Sequence, residues 1–219
     1  MRHSTLLRIL PALVVLALAS ADAATVIGYT DGAVAVASRT DFTGTIGTQF
    51  TVNTSGLSIT HLGVQDVVNS TRNAGVGISD GLFLNGIQVG LWEVGNATPI
   101  ATVTVTNSDA VQSGGYRYVQ LGTTIALTAG QSYLMGAQVG GGIEFFLDHQ
   151  PGSIFSDPAG DGITIVSSNF GAGATLNAPT TASGTVGRWG AANAIFVPEP
   201  GAALLGSLGL LGLLRRRRA

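Results

Sequence analysis

The chain has 219 residues, of which 45% are hydrophobic and only 10% charged, and it contains 32 glycines and no cysteine. Lack of cysteine excludes thiol nucleophiles, thiolate zinc sites, iron–sulfur clusters and disulfides, so the fold must rest on packing, with or without bound ions. The formal charge of −2 is unevenly spread: between residues 24 and 197, four basic residues (Arg39, Arg72, Arg117, Arg188) stand against ten carboxylates, a balance of −6. A domain this acidic lacks the electrostatic footprint for nucleic acid or anionic lipid, and nucleic-acid binding is set aside.

The amino terminus reads as an export signal. Arg2, His3 and Arg8 form a positive start, Ile9 to Ala19 an apolar core, and Ala21-Asp22-Ala23 a small-x-small cleavage site. That order describes a Sec-type signal peptide over residues 1–23, which brings the Sec translocon and signal peptidase as partners. Residues 24–197 then make one domain by size, large enough for a real core.

This middle stretch reads as strand after strand. Thr25–Tyr29, Gln49–Val52, Leu57–Val64, Gln88–Trp92, Ile100–Val105, Tyr116–Leu121 and Ser132–Val139 alternate apolar with polar or small residues. A period of two with β-branched enrichment predicts half-buried strands. Turn formers separate them: Asn53–Gly56, Gly95-Asn96, Ser113–Gly115 and Ala129-Gly130. No helix longer than two turns is predicted, so the fold expected is all-β, an antiparallel β-sandwich of jelly-roll type. Two regions break the rhythm. Asp66–Gly86 reads as a long loop. Asn169–Gly190 reads as a loop before a last strand, Asn193–Val197, because Trp189, Ile195 and Phe196 need a dry environment; a flexible stalk is the other reading.

The carboxyl terminus, residues 198–219, is the most distinctive part. Pro198-Glu199-Pro200 precedes an uncharged Gly/Ala/Leu run from Gly201 to Leu214, and then Arg215, Arg216, Arg217 and Arg218. At about 1.5 Å per residue, this helix spans roughly 21 Å, short of the ~30 Å hydrocarbon core of a bilayer. Four adjacent guanidinium groups cannot be buried unpaired, but they can sit in the cytoplasmic headgroup layer. The order of motif, short apolar helix and terminal arginine cluster resembles the PEP-CTERM sorting signal of Gram-negative, biofilm-forming, exopolysaccharide-producing bacteria. The resemblance implies that an exosortase, a membrane-embedded cysteine protease-transpeptidase, recognises Pro198-Glu199-Pro200 and removes the helix. The chain would then pass only transiently through the inner membrane on its way to the cell surface or extracellular matrix. An ordinary anchor with a chance Pro-Glu-Pro is the competing reading. Residues 42–150 carry a second likeness. Leu62-Gly63-Val64 with Asp66, Asp80-Gly81-Leu82, Val89–Trp92, Pro99–Val105, Gly115–Tyr118 and Leu127–Gly130 with Tyr133 resemble an uncharacterised family of extracellular β-sandwich domains. That family implies a fold and a location, and no catalytic residues.

Chemistry-bearing residues are sparse. His61 and His149 are far apart in sequence, no nucleophile elbow is present, and structural or surface roles suit both histidines. Glu93 and Glu144 are the only paired-carboxylate candidates for a secreted glycosidase. Asp66, Asp80, Asp148, Asp157 and Asp161 sit in loops or at strand ends, where hard oxygen ligands suit a structural calcium ion; aspartate before glycine is equally a turn device. Trp92, Tyr116, Tyr118 and Trp189 are candidate sugar-stacking residues if they line one exposed face, and core-filling residues otherwise. No firm metal or catalytic site emerges. The expectation is a non-enzymatic surface or biofilm-matrix protein, associated with exopolysaccharide; the alternative is a carbohydrate-binding module, and behind it a secreted hydrolase.

Overall fold

The computed structural model describes residues 25–26, 28–29, 35–39, 41–65, 86–109, 111–112, 116–140, 146–149, 155–156, 162–189 and 191–198. The expected signal peptide, the long loop after Gln65 and the tail beyond Pro198 lie outside the described residues.

All regular structure among the described residues is β. The strands in chain order are β1 (Thr25–Val26), β2 (Gly28–Tyr29), β3 (Ala35–Arg39), β4 (Gly44–Val52), β5 (Leu57–Gln65), β6 (Ile87–Glu93), β7 (Ala101–Val105) and β8 (Val111–Gln112). They continue with β9 (Tyr116–Leu127), β10 (Ser132–Val139), β11 (Phe146–His149), β12 (Phe155–Ser156), β13 (Ile163–Ala172), β14 (Thr181–Ala182) and β15 (Ala192–Pro198). A five-stranded sheet runs β1-β15-β5-β9-β8, and a six-stranded sheet runs β14-β13-β4-β10-β6-β7. Every pairing in them is antiparallel. Two further pairs, β11-β3 and β12-β2, stand apart from these sheets.

The two large sheets form the layers of a sandwich. β5 packs across β6 and β7, β15 across β10 and β4, and β9 across β7. Alternation decides which side chains meet. Ile46, Phe50 and Val52 of β4, Met135 and Ala137 of β10, and Ile87, Val89 and Leu91 of β6 turn inward with Ile59, Leu62 and Val64 of β5 and Ala192, Ala194 and Phe196 of β15. Phe50 is the hinge of this core. It stacks on its cross-strand partner Tyr133 at 5.7 Å and meets Phe196 of the opposite layer edge-on at 5.5 Å. The Tyr133 hydroxyl accepts a hydrogen bond from Thr128 N at 3.1 Å, which ties the β9–β10 crossover between the sheets to the same aromatic group.

Each expected strand is found, Thr25–Tyr29 as the two short strands β1 and β2; β4 and β9 run longer than expected, and β3, β8, β11, β12, β13 and β14 are additional to the expectation. β4 starts at Gly44 rather than Gln49, because Gly44 and Gly47 dilute the alternation that marks a strand. β9 runs on to Leu127 through exposed Gly122, Thr123 and Thr124, where its register against β5 slips between Ile59 and His61. β13 reaches Ala172, well into the stretch expected as a loop. Its register shifts between Ile165 and Ser167, so a bulge at Val166 flips the apolar parity from Ile163 and Ile165 to Phe170. Of the three residues expected to need a dry environment, Trp189 and Phe196 are buried, with Trp189 meeting Phe170 edge-on at 5.7 Å, while Ile195 is half-buried.

Arg117, on the margin of the core, secures the connection between the layers. Its Nη1 donates to the carbonyls of Asn107 at 3.0 Å and Asp109 at 2.6 Å, while Asp109 Oδ2 accepts from Thr106 N and Thr106 Oγ1. Hydrogen bonds from a charged donor contribute about 1.5–3 kcal/mol each. Arg117→Met is therefore expected to lower the urea midpoint by an amount equivalent to a few kcal/mol. Phe50→Ala, which leaves a cavity between two aromatic partners, should cost about 3–5 kcal/mol by the same measurement.

Candidate functional site

The four aromatic candidates do not share a face. Trp189 lies in the inter-sheet core, with the Arg188 guanidinium 5.2 Å from its ring centroid. Trp92 is fully buried yet belongs to the outer face of the six-stranded sheet, opposite Leu134 of β10. Tyr116 and Tyr118 are on the outer face of the five-stranded sheet, with ring centroids 6.1 Å apart, and both are shut off from solvent.

Each outer face is built around glycine. On the five-stranded sheet, Asn193, Gly63 and Tyr118 stand in one row across β15, β5 and β9, with Gln65 and Tyr116 paired in the next row of that face. The Tyr118 ring lies over Gly63, where a Cβ would collide with ring atoms Cδ1 and Cε1. An aromatic laid across a strand glycine restores the packing that the missing side chain gives up. It also carries the phenol toward Asn193. Tyr118 Oη, Asn193 Nδ2 and Gln65 Oε1 are buried without a hydrogen-bond partner among the described residues. Asn193 Oδ1 accepts from Ala194 N at 2.8 Å. Burial pushes the Tyr118 phenol well up, with nearby Asn193 opposing, and burial followed by the charge of Tyr118 raises Tyr116. The result is an uncharged recess of two phenols and two carboxamides over a glycine floor.

On the six-stranded sheet the same device is larger. Gly47, Gly136 and Gly90 are consecutive neighbours across β4, β10 and β6, forming a side-chain-free trench. The Trp92 ring folds back over Gly90, and Pro179 covers Gly136, with its Cγ 3.0 Å from where a Cβ would stand. Pro179 belongs to a strap, residues 173–180, that crosses this face. Gln138 Nε2 donates to Gly173 O at 3.1 Å, Asn177 N to Thr45 Oγ1 at 3.0 Å, and Asn177 Nδ2 to Ala172 O at 2.9 Å. Both recesses are thus occupied by the chain's own aromatic and proline rings.

No constellation for acid–base or nucleophilic work assembles among the described residues. His61 Nδ1 lies 2.9 Å from Thr60 Oγ1, and partial burial lowers its pKa. Glu93 accepts from Asn96 Nδ2 at 3.0 Å within the β6–β7 turn. No group of three or more potential metal ligands occurs among the described residues. Asp148 stands in β11 opposite Ala37. Asp66, Asp80, Asp157, Asp161 and Glu144 lie outside the described residues, as do Glu199, Pro200 and Arg215–Arg218. Pro198 is the last residue of β15, opposite Leu57. Sequence reasoning missed Asn193, Gln65 and Gly63, whose only signal was that they are outward-facing strand positions in register with Tyr118. No family model, curated protein or solved structure matches this chain.

The buried phenols make a testable pH signature. Their folded-state pKa values lie above the unfolded value near 10, so the fold holds the proton longer than the unfolded chain does. Their stabilisation is complete below pH about 10 and falls as pH rises beyond it, by about 1.4 kcal/mol per pH unit for each tyrosine. Chemical denaturation across the alkaline range should show this decline, and the Tyr116→Phe/Tyr118→Phe double variant should flatten it.

Proposed function

We propose that this chain is a non-enzymatic exported protein of the cell surface or extracellular matrix, a two-layer β domain delivered through its carboxyl-terminal Pro-Glu-Pro, helix and arginine signal. The observation that carries the reading is the order of parts from Pro198 to Arg218, together with the amino-terminal export signal. Pro198, the first residue of the motif, is the last residue of β15, so the motif follows directly on a strand of the five-stranded sheet. Proline suits that position, since it lacks the N–H that a continuing ladder would use. The terminal helices, the exosortase and the transient stay in the inner membrane belong to this proposal.

Within it, a matrix or surface role is favoured over a carbohydrate-binding module. Sugar recognition by stacking needs an open aromatic face, and Trp92, Tyr116, Tyr118 and Trp189 are all buried. Working contacts then fall to polar side chains and strand edges, toward protein or exopolysaccharide.

Cell fractionation tests the route. The full chain and a Pro198→Ala/Glu199→Ala/Pro200→Ala variant are expressed in an exosortase-bearing host, and the carboxyl terminus of the product is read by mass spectrometry. The expected native product ends near Pro200 and leaves the inner membrane, and the variant stays there with its arginines. A native product recovered intact and membrane-embedded refutes the proposal.

A further inference from the structure

The four edges of the two large sheets are unequal. β1, β8 and β14 are two residues each, too short to template another strand. β7, at the end of the six-stranded sheet, is five residues long, in continuous register with β6 on one side and with no strand on the other among the described residues. Edge strands expose unpaired backbone groups, and natural proteins protect them with charge, proline, bulges or brevity. β7 has none of the first three: Ala101-Thr-Val-Thr-Val105 is uncharged and proline-free, and its pairing with β6 shows no register shift.

We propose that β7 is a self-association edge, at which a second copy of this chain adds antiparallel across a two-fold axis. The occupant is indicated by the sequence of the edge. Thr102-Val103-Thr104 reads the same in both directions, so a two-fold axis at Val103 sets Thr102 against Thr104 of the partner copy and Val103 against itself. Ala101 then meets Val105. Directly opposed residues share a face, so the threonines stay together on the outer face, where Thr102 and Thr104 are exposed, and the valines stay on the core side. Cross-strand threonine pairs are favourable, and a two-fold interface requires this self-complementarity. Charge points the same way. Copies of a domain with a balance of −6 repel over most approaches, and this strand carries no charge. The carboxylates nearest in sequence are held internally, Glu93 by Asn96 and Asp109 by Thr106. Val94 and Ile100, two of the four exposed large hydrophobic residues among those described, stand at 41% and 40% exposure in the turn that leads into β7. An edge this short buries less than the ~1,200 Å² of a stable interface, so the pairing is weak and sensitive to concentration. The inference is independent of the sorting route, since it concerns the folded domain alone.

Sedimentation velocity of the full chain in mild detergent, from low to high micromolar concentration, tests it. The expected result is a mass that climbs from monomer toward dimer. That climb is lost in Thr102→Lys/Thr104→Lys, whose thermal midpoint at low concentration stays unchanged. Because the chain has no cysteine, Thr102→Cys/Thr104→Cys offers a second readout: oxidation should give a covalent dimer, faster than a Thr123→Cys control on exposed β9. A monomer throughout, an association indifferent to the lysines (which would assign it to another surface, such as the apolar tail), or cross-linking no faster than the control overturns the proposal.

Discussion

Two sheets with no disulfide between them are held face to face by side chains that cross the gap, and Phe50 is where strands of both layers converge. It binds β4 to β10 through Tyr133 and reaches β15 through Phe196. Around those three rings, Ile59, Leu62 and Val64 share one buried cluster with Val89, Leu91 and Met135. A domain without disulfides depends on that apolar contact area, because loop-closing crosslinks that constrain the unfolded chain are absent. The polar tethers at the margins, Arg117 on the inter-layer loop and the 173–180 strap on the outer face, secure connections around this centre.

Outer faces of a sandwich are ordinarily where ligands meet the fold, and here both are turned inward. Strand glycines at 63, 90 and 136 leave recesses that other proteins could offer to a partner. This chain fills them with Tyr118, Trp92 and Pro179. The aromatic side chains most suited to recognition are thereby spent on packing, and this shifts the weight of any contact to edges and hydroxyl-rich surfaces. Such a division of labour fits the proposed place of the protein in a coat or matrix.

Much of the fold was legible because alternation is a direct consequence of the pleat. Ser132–Val139 and Leu57–Val64 could be placed from pattern alone. What escaped was hidden by specific local physics. The bulge at Val166 inverted the parity of β13, glycines thinned the apolar signal of β4, and the exposed Thr123 and Thr124 masked the second half of β9. The recess around Gly63 was harder still. Tyr116 and Tyr118 could be paired on one face by their spacing, but their glycine floor and the Asn193 amide come from strands more than 50 residues away in either direction. Only pairing register brings them together, and composition does not encode register.

β15 is the last strand among the described residues and an interior one in its sheet, seated between β1 and β5. Until residues 192–198 have emerged, the five-stranded layer has a vacant slot beside β5, and β1 has nothing to pair with. Maturation therefore cannot proceed strand by strand from the leading end. The polypeptide must be synthesised through Pro198 before its architecture locks, which keeps a nascent copy pliable until late and ties the moment of closure to arrival of the very segment that adjoins the proposed sorting signal.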